Sequence, residues 1–137
     1  ARRWNEKHAE AYRRMGQALQ DLPDVYMRGF VAGEAGLAAM PLGRRGMLLV
    51  GLGDPAGDDA DSASVIWRVR DLALQEGRQP VFWCVGEVFL PIYADMGLVI
   101  WPLGDGSGAY VCCPSEQIGF VKEIIGDQGT DSVRMNG

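Results

Sequence analysis

The chain has 137 residues, of which 47% are hydrophobic and 23% charged, and a formal net charge of -5. That length suits one ordinary domain able to bury a core, and the composition is that of a folded chain, not a disordered one. The acidic balance argues against a surface that coats nucleic acid generally, and no apolar run nears the roughly 18 to 20 residues of a membrane-spanning helix.

The charged N-terminus lacks the apolar stretch of a signal peptide. Residues 4–20 read as a helix, because Trp4, His8, Ala11, Tyr12, Met15 and Leu19 recur at three- and four-residue spacing. Arg2, Arg3, Lys7, Arg13 and Arg14 face only Glu6 and Glu10 along its start. Such a basic face suits anionic lipid or RNA phosphate, or simply water. The cluster Asp21-Leu22-Pro23-Asp24 ends the helix, since proline keeps its predecessor out of helical geometry. Three extended segments follow, over residues 25–30, 36–42 and 47–52. The turn signals Gly33-Glu34 and Gly43-Arg44-Arg45-Gly46 separate them. Connections this short require antiparallel neighbours.

The loop Gly53-Asp54-Pro55-Ala56-Gly57-Asp58-Asp59 leads into a second helix over 62–75, with Asp61 or Ser62 as its expected cap. Val65, Ile66, Val69, Leu72 and Ala73 form its buried stripe, and Gly77 ends it. Residues 81–85 are almost wholly apolar, as a central strand covered on both faces requires. A short helix over 90–96 is closed by Gly97; strands over 98–103 and 109–113 and a helix over 115–125 follow. The expected organisation is one domain over 1–125 with a mobile polar tail over 126–137. A meander followed by a strand–helix–strand crossover gives an α/β (α+β) fold, a mixed sheet with helices on its faces.

Candidate chemistry is sparse. Gly51, Gly53, Asp54 and Gly57 lie between a strand and a helix, where glycines admit a ligand to the backbone and a helix start favours an anion. The spacing matches neither the dinucleotide fingerprint nor the phosphate loop, and Asp54, Asp58, Asp59 and Asp61 put negative charge where a phosphate would sit. A structural turn and cap is the plainer reading. Glu87 stands at the C-terminal end of the central strand, where sheet enzymes place polar residues, or where it caps the next helix. His8 is the one histidine, and Cys84, Cys112 and Cys113 lack metal-ligand spacing, so no metal site is expected. Cys112 and Cys113 point to opposite faces of a strand and are expected as buried reduced thiols. No serine sits in a nucleophile elbow.

Two blocks carry a resemblance. Residues Arg45-Gly46-Met47-Leu48-Leu49-Val50-Gly51-Leu52-Gly53-Asp54-Pro55-Ala56-Gly57 resemble the strand and Gly-Asp-Pro loop of lysyl- and alanyl-phosphatidylglycerol synthases. The resemblance continues through Ile66-Trp67-Arg68 and Gly77-Arg78-Gln79-Pro80-Val81-Phe82-Trp83. It is sharpest in Phe89-Leu90-Pro91-Ile92-Tyr93-Ala94-Asp95-Met96-Gly97-Leu98, ahead of Pro102-Leu103-Gly104. Pro102 stands where the family has lysine, and the chain ends soon after Gly104, where the family continues.

The resemblance implies the first of two acetyltransferase-like (GNAT) units in the cytosolic domain of a transferase at the cytoplasmic face of the bacterial inner membrane. Its substrates would be aminoacyl-tRNA and phosphatidylglycerol, and its partner the second unit of the parent chain. The cationic lipid product would lower the surface's attraction for cationic antimicrobial peptides. No catalytic residue of the family maps onto this sequence, so this segment is expected to be inactive alone. The acidic loop is a poor pyrophosphate cradle, and no coenzyme A or other cofactor is expected. The alternative is a non-catalytic docking or dimerisation domain, forming a homodimer. A stand-alone acetyltransferase would need a phosphate loop that the sequence lacks.

Overall fold

Alternation along residues 48–52 sets the architecture: Leu48, Val50 and Leu52 join the core on one side of the sheet, and Leu49 the core on the other. A strand apolar on both sides must be covered on both sides. The computed structural model describes residues 2–20, 22 and 24–125, with the backbone alone for residues 2–8. The tail expected over 126–137, Asp21, Pro23 and the side chain of His8 lie outside the described residues.

In chain order the elements are α1 (Arg2–Leu19), β1 (Tyr26–Ala32), β2 (Ala38–Arg45), β3 (Leu48–Leu52), β4 (Ala56–Gly57), α2 (Asp59–Gln75), β5 (Gln79–Val85), α3 (Leu90–Asp95), β6 (Val99–Pro102), β7 (Tyr110–Cys113), a 3-10 turn (Ser115–Gln117) and α4 (Ile118–Ile125). The sheet order is β1-β2-β3-β5-β7-β6, with β4 paired to β2. β1, β2 and β3 form the expected antiparallel meander. β3 and β5 run parallel, from Leu48 opposite Gln79 to Leu52 opposite Trp83, and α2 supplies the crossover that a parallel pair needs. β7 is antiparallel to both β5 and β6.

One core packs α1 and α4 on the sheet through Ala18, Leu22, Leu48, Val50, Leu52, Val81, Trp83, Val111, Val121 and Ile125. The other packs α2 and α3 through Met40, Leu42, Leu49, Val65, Ile66, Val69, Ala73, Phe82, Val85 and Tyr93. Cys112 lies in the second core and Cys113 in the first, as alternation requires. Both are free, and burial pushes their thiols up to about 12 and about 11, so both stay protonated at neutral pH.

The structure corrects three boundaries. β2 runs on through Gly43, Arg44 and Arg45, so the four-residue turn expected there shrinks to Gly46-Met47. A Cβ on Gly43 would lie 2.3 Å from Val25 Cγ1, so the glycine lets that core residue reach the strand. α2 begins at Asp59 rather than residue 62, because its cap is Asp58, whose side chain accepts from the Asp61 N–H at 2.9 Å. The loop read as irregular contains β4, tied to β2 through Ala38 opposite Gly57 and Ala39 opposite Ala56.

Candidate functional site

The parallel pair ends where the Gly53 N–H donates to the Trp83 carbonyl at 2.9 Å. Beyond that bond the strands part. β3 turns away at Gly53, whose φ of 99° a side chain would strain, and a Cβ there would meet Arg14 Cβ at 2.9 Å. β5 continues through a bulge at Cys84, which takes φ 65° and shifts the register with β7 between Trp83 and Val85. The extra residue returns Val85 to the face of Phe82.

Asp54 spans the gap thus opened. Its Oδ2 accepts from the Gly86 N–H at 2.7 Å, and its Oδ1 from the Tyr93 hydroxyl at 3.1 Å. Burial raises the Asp54 carboxyl above the usual carboxylate range, against the opposing pull of these two donors and of the Arg14 charge. Tyr93 is fully buried beside Phe82, with ring centroids 4.7 Å apart. Its hydroxyl is pushed well above its ordinary value by burial and then by the Asp54 charge, so it stays a donor.

From the other face, Arg14 Nη1 of α1 donates to the carbonyls of Asp54 at 3.0 Å and Pro55 at 2.6 Å. Its Nε donates to Glu10 at 2.8 Å. Glu10 also takes the Arg13 guanidinium, and these hydrogen bonds, Arg13's first, bring its carboxyl down to about 2.

A second carboxylate fixes the other end of the loop. Asp61, 6% exposed, accepts from the N–H groups of Ala35 at 2.9 Å, Leu37 at 2.8 Å and Ala38 at 2.9 Å, and from the Ser64 hydroxyl at 3.2 Å. Burial pushes its carboxyl up, but these donors outweigh it and hold the group below its ordinary value. Asp61, expected as a helix cap, is thus the clamp of the β1–β2 turn.

Of the sequence candidates, Gly53 and Asp54 come together, joined by Arg14, Gly86 and Tyr93, which reading the residues alone did not single out as a site. Gly51 is a packing glycine: a Cβ there would meet Phe82 Cδ1 at 2.8 Å and Met40 Sδ at 2.9 Å. Gly51→Ala is expected to cost about 1–3 kcal/mol by overpacking, read from the urea midpoint. Gly57 belongs to β4. Glu87 is exposed, and its side chain makes no hydrogen bond or ion pair among the described residues; its carbonyl accepts from the Leu90 N–H at 3.3 Å. A groove of about 340 Å³ lies elsewhere, between β1 and α2, lined by Val31, Arg68, Asp71, Leu72 and Gln75.

Chemically, the Asp54 arrangement holds backbone together. Both carboxylate oxygens are bonded, and its neighbours Tyr93 and Arg14 are oriented donors, not nucleophiles. Because the folded value of Asp54 is raised, its protonation favours folding, and that stability is lost as pH rises through the raised value. Asp54→Asn, uncharged at every pH, is therefore expected to gain on the wild type between about pH 3 and about pH 7 in urea unfolding. A difference that shrinks over that range would contradict the raised value.

No family model matches the sequence, and no curated protein matches it. Solved structures do. The C-terminal DUF2156 domain of a protein described as a lysylphosphatidylglycerol synthetase from Agrobacterium fabrum matches with TM-score 0.55 and 23% identity over 70% of this chain. The L-PGS structure from Bacillus licheniformis matches with TM-score 0.54 and 25% identity, also over 70% of this chain. The chain spans 33% and 32% of those solved chains, about a third of their length. The mixed α/β sheet with helices on both faces is thus the fold of those domains, and the synthetase resemblance of the two sequence blocks meets a structural likeness to the same proteins.

Proposed function

We propose that the chain is the first acetyltransferase-like unit of an aminoacyl-phosphatidylglycerol synthase, one domain over residues 1–125. In this reading the parent protein moves a lysyl or alanyl group from aminoacyl-tRNA to phosphatidylglycerol at the cytoplasmic face of the bacterial inner membrane. The observation that carries it is spatial. The two sequence blocks that resemble the synthases meet in one hydrogen bond, from Tyr93 of the second block to Asp54 of the first. Two stretches almost forty residues apart that share a family pattern and a contact are joint parts of one device. The likeness to two solved synthetase domains points the same way.

Among the described residues no helix is long and apolar enough to cross a membrane. Asp54 has both oxygens bonded within the fold, which supports a structural role for this unit; in this reading the reacting groups belong to a second unit of the parent. Reduced attraction of cationic peptides would follow from the product's charge.

The decisive assay supplies charged tRNA and phosphatidylglycerol vesicles to the parent protein and looks for aminoacyl-phosphatidylglycerol by mass spectrometry. The parent is expected to form it, and this chain alone is not. A parent protein that forms none with either lysyl- or alanyl-tRNA sinks the proposal and leaves the docking or dimerisation module standing.

A further inference from the structure

An acetyltransferase-like fold implies an acyl-coenzyme A. Open sheets receive ligands outside the carboxyl ends of their parallel strands, and a pyrophosphate is held by free backbone N–H groups at the start of the next helix. Both requirements can be tested against the residues present.

The gap between β3 and β5 is crossed by Asp54, whose carboxyl takes the Gly86 N–H at 2.7 Å and the Tyr93 hydroxyl at 3.1 Å. The Gly53 N–H, at the same place, is bonded to the Trp83 carbonyl at 2.9 Å. In the loop toward α2, the Asp58 N–H donates to the Leu37 carbonyl at 3.0 Å and the Asp61 N–H to Asp58 Oδ2 at 2.9 Å. Each of these donors, the kind a phosphate or thioester carbonyl would need, already ends on a protein acceptor. At the start of α2 the N–H groups of Asp59 and Ala60 alone have none among the described residues, and they stand beside the Asp58 and Asp59 carboxylates. Two of the acceptors of the bonded donors are carboxylates, which also repel a phosphate, and exposed Asp59 adds to that charge. The residues present do not fit the cofactor.

We propose that Asp54 is an internal ligand: its carboxyl occupies the gap between the parting strands, joins Gly86 to Tyr93 across it, and closes this unit to acyl-coenzyme A. The fold keeps the architecture of an acyl-binding sheet and fills the binding position with its own side chain. Arg14, bonded to the carbonyls of Asp54 and Pro55, holds that side chain's backbone in place from α1. The inference does not depend on the lipid reading, since a supporting unit of a synthase and a docking module would both be closed in this way.

Two measurements on the 137-residue chain test it. Acetyl-coenzyme A at about 1 mM is expected to give no saturable heat in titration calorimetry, whereas a ligand held by several phosphate contacts would saturate at micromolar levels. In native-state hydrogen exchange the Gly86 amide is expected to exchange at least about tenfold more slowly than an open amide. Asp54→Ala removes that protection, and Asp54→Asn, which keeps an acceptor oxygen, retains it. Saturable micromolar binding of acetyl-coenzyme A overturns the proposal, and so does a Gly86 amide that exchanges at the open rate in the wild type. The wild-type measurements decide the matter even if Asp54→Ala does not fold. Neither outcome bears on aminoacyl-lipid formation by the parent protein.

Discussion

Asp61→Ala is expected to lower the unfolding free energy by about 3 kcal/mol, which for a chain of this size is roughly 10 °C in melting temperature. The substitution strips one acceptor from three backbone N–H groups, those of Ala35, Leu37 and Ala38. Ala38 is fully buried, so its N–H cannot turn to water, while Ala35 and Leu37 lie on the exposed turn and partly recover by hydration. Asp61→Asn is only a partial remedy: with its amide oxygen at the Oδ2 position it keeps the Leu37 and Ala38 bonds, but its NH2 then faces the Ala35 N–H.

Gly33→Ala reaches the same state from the opposite side, since a Cβ at Gly33 would lie 2.2 Å from Asp61 Oδ2 and evict the carboxylate. The two substitutions are therefore expected to be strongly non-additive in a double-mutant cycle. Additive losses would mean that the clamp is not the shared cause. The sign with pH is fixed by the lowered carboxyl. Asp61's contribution is fully present above its ordinary value and disappears as pH falls through the lower folded value. Asp61→Ala and the wild type should then converge in stability only in strong acid.

Gly57→Ala is the second large effect, expected at roughly 3–5 kcal/mol by urea unfolding. Gly57 holds φ 124°, a conformation that side chains rarely adopt, and a Cβ would sit 2.2 Å from the Leu37 carbonyl oxygen and 2.8 Å from Ala38 Cα. Both obstacles are backbone, so no rotamer change relieves them. β4 must detach from β2 or the turn over 33–37 must move, and the second route breaks the Asp61 clamp. A loss under about 1 kcal/mol would show that β4 is dispensable.

Much of the order of elements was legible because it depends on short-range chemistry. Short polar and glycine-rich links forced β1, β2 and β3 into a meander, and the unbroken apolar run near Val81 marked a strand covered twice. The Val65, Ile66, Val69 and Ala73 stripe did become the buried side of α2, with Leu72 at its half-buried margin. The glycine–aspartate loop could be singled out, yet its aspartates could not be told apart. Asp58, Asp59 and Asp61 all suit a helix start, and local rules offered Asp61 or Ser62 as the cap. The structure gives that position to Asp58 and sends Asp61 to a turn more than twenty residues earlier.

The bulge at Cys84 was equally hidden. A non-glycine residue with φ 65° inside an apolar strand has no local sign, and it exists because β5 must pair with β3 on one side and β7 on the other while both faces stay covered.

Sequence alone determined the helices and the longer strands, that the sheet is mixed, and that two blocks, around Gly53-Asp54-Pro55 and Leu90-Pro91-Ile92-Tyr93, carry a family pattern; the short strand β4 escaped it. Tertiary structure alone decided what those blocks do to each other. Periodicity and turn chemistry act over a few residues, so one chain suffices to read them. The partner of a buried carboxylate is whichever N–H or O–H the fold delivers within hydrogen-bond reach. For Asp54 those are Gly86 and Tyr93, brought to it only when β3 and β5 lie side by side and then part.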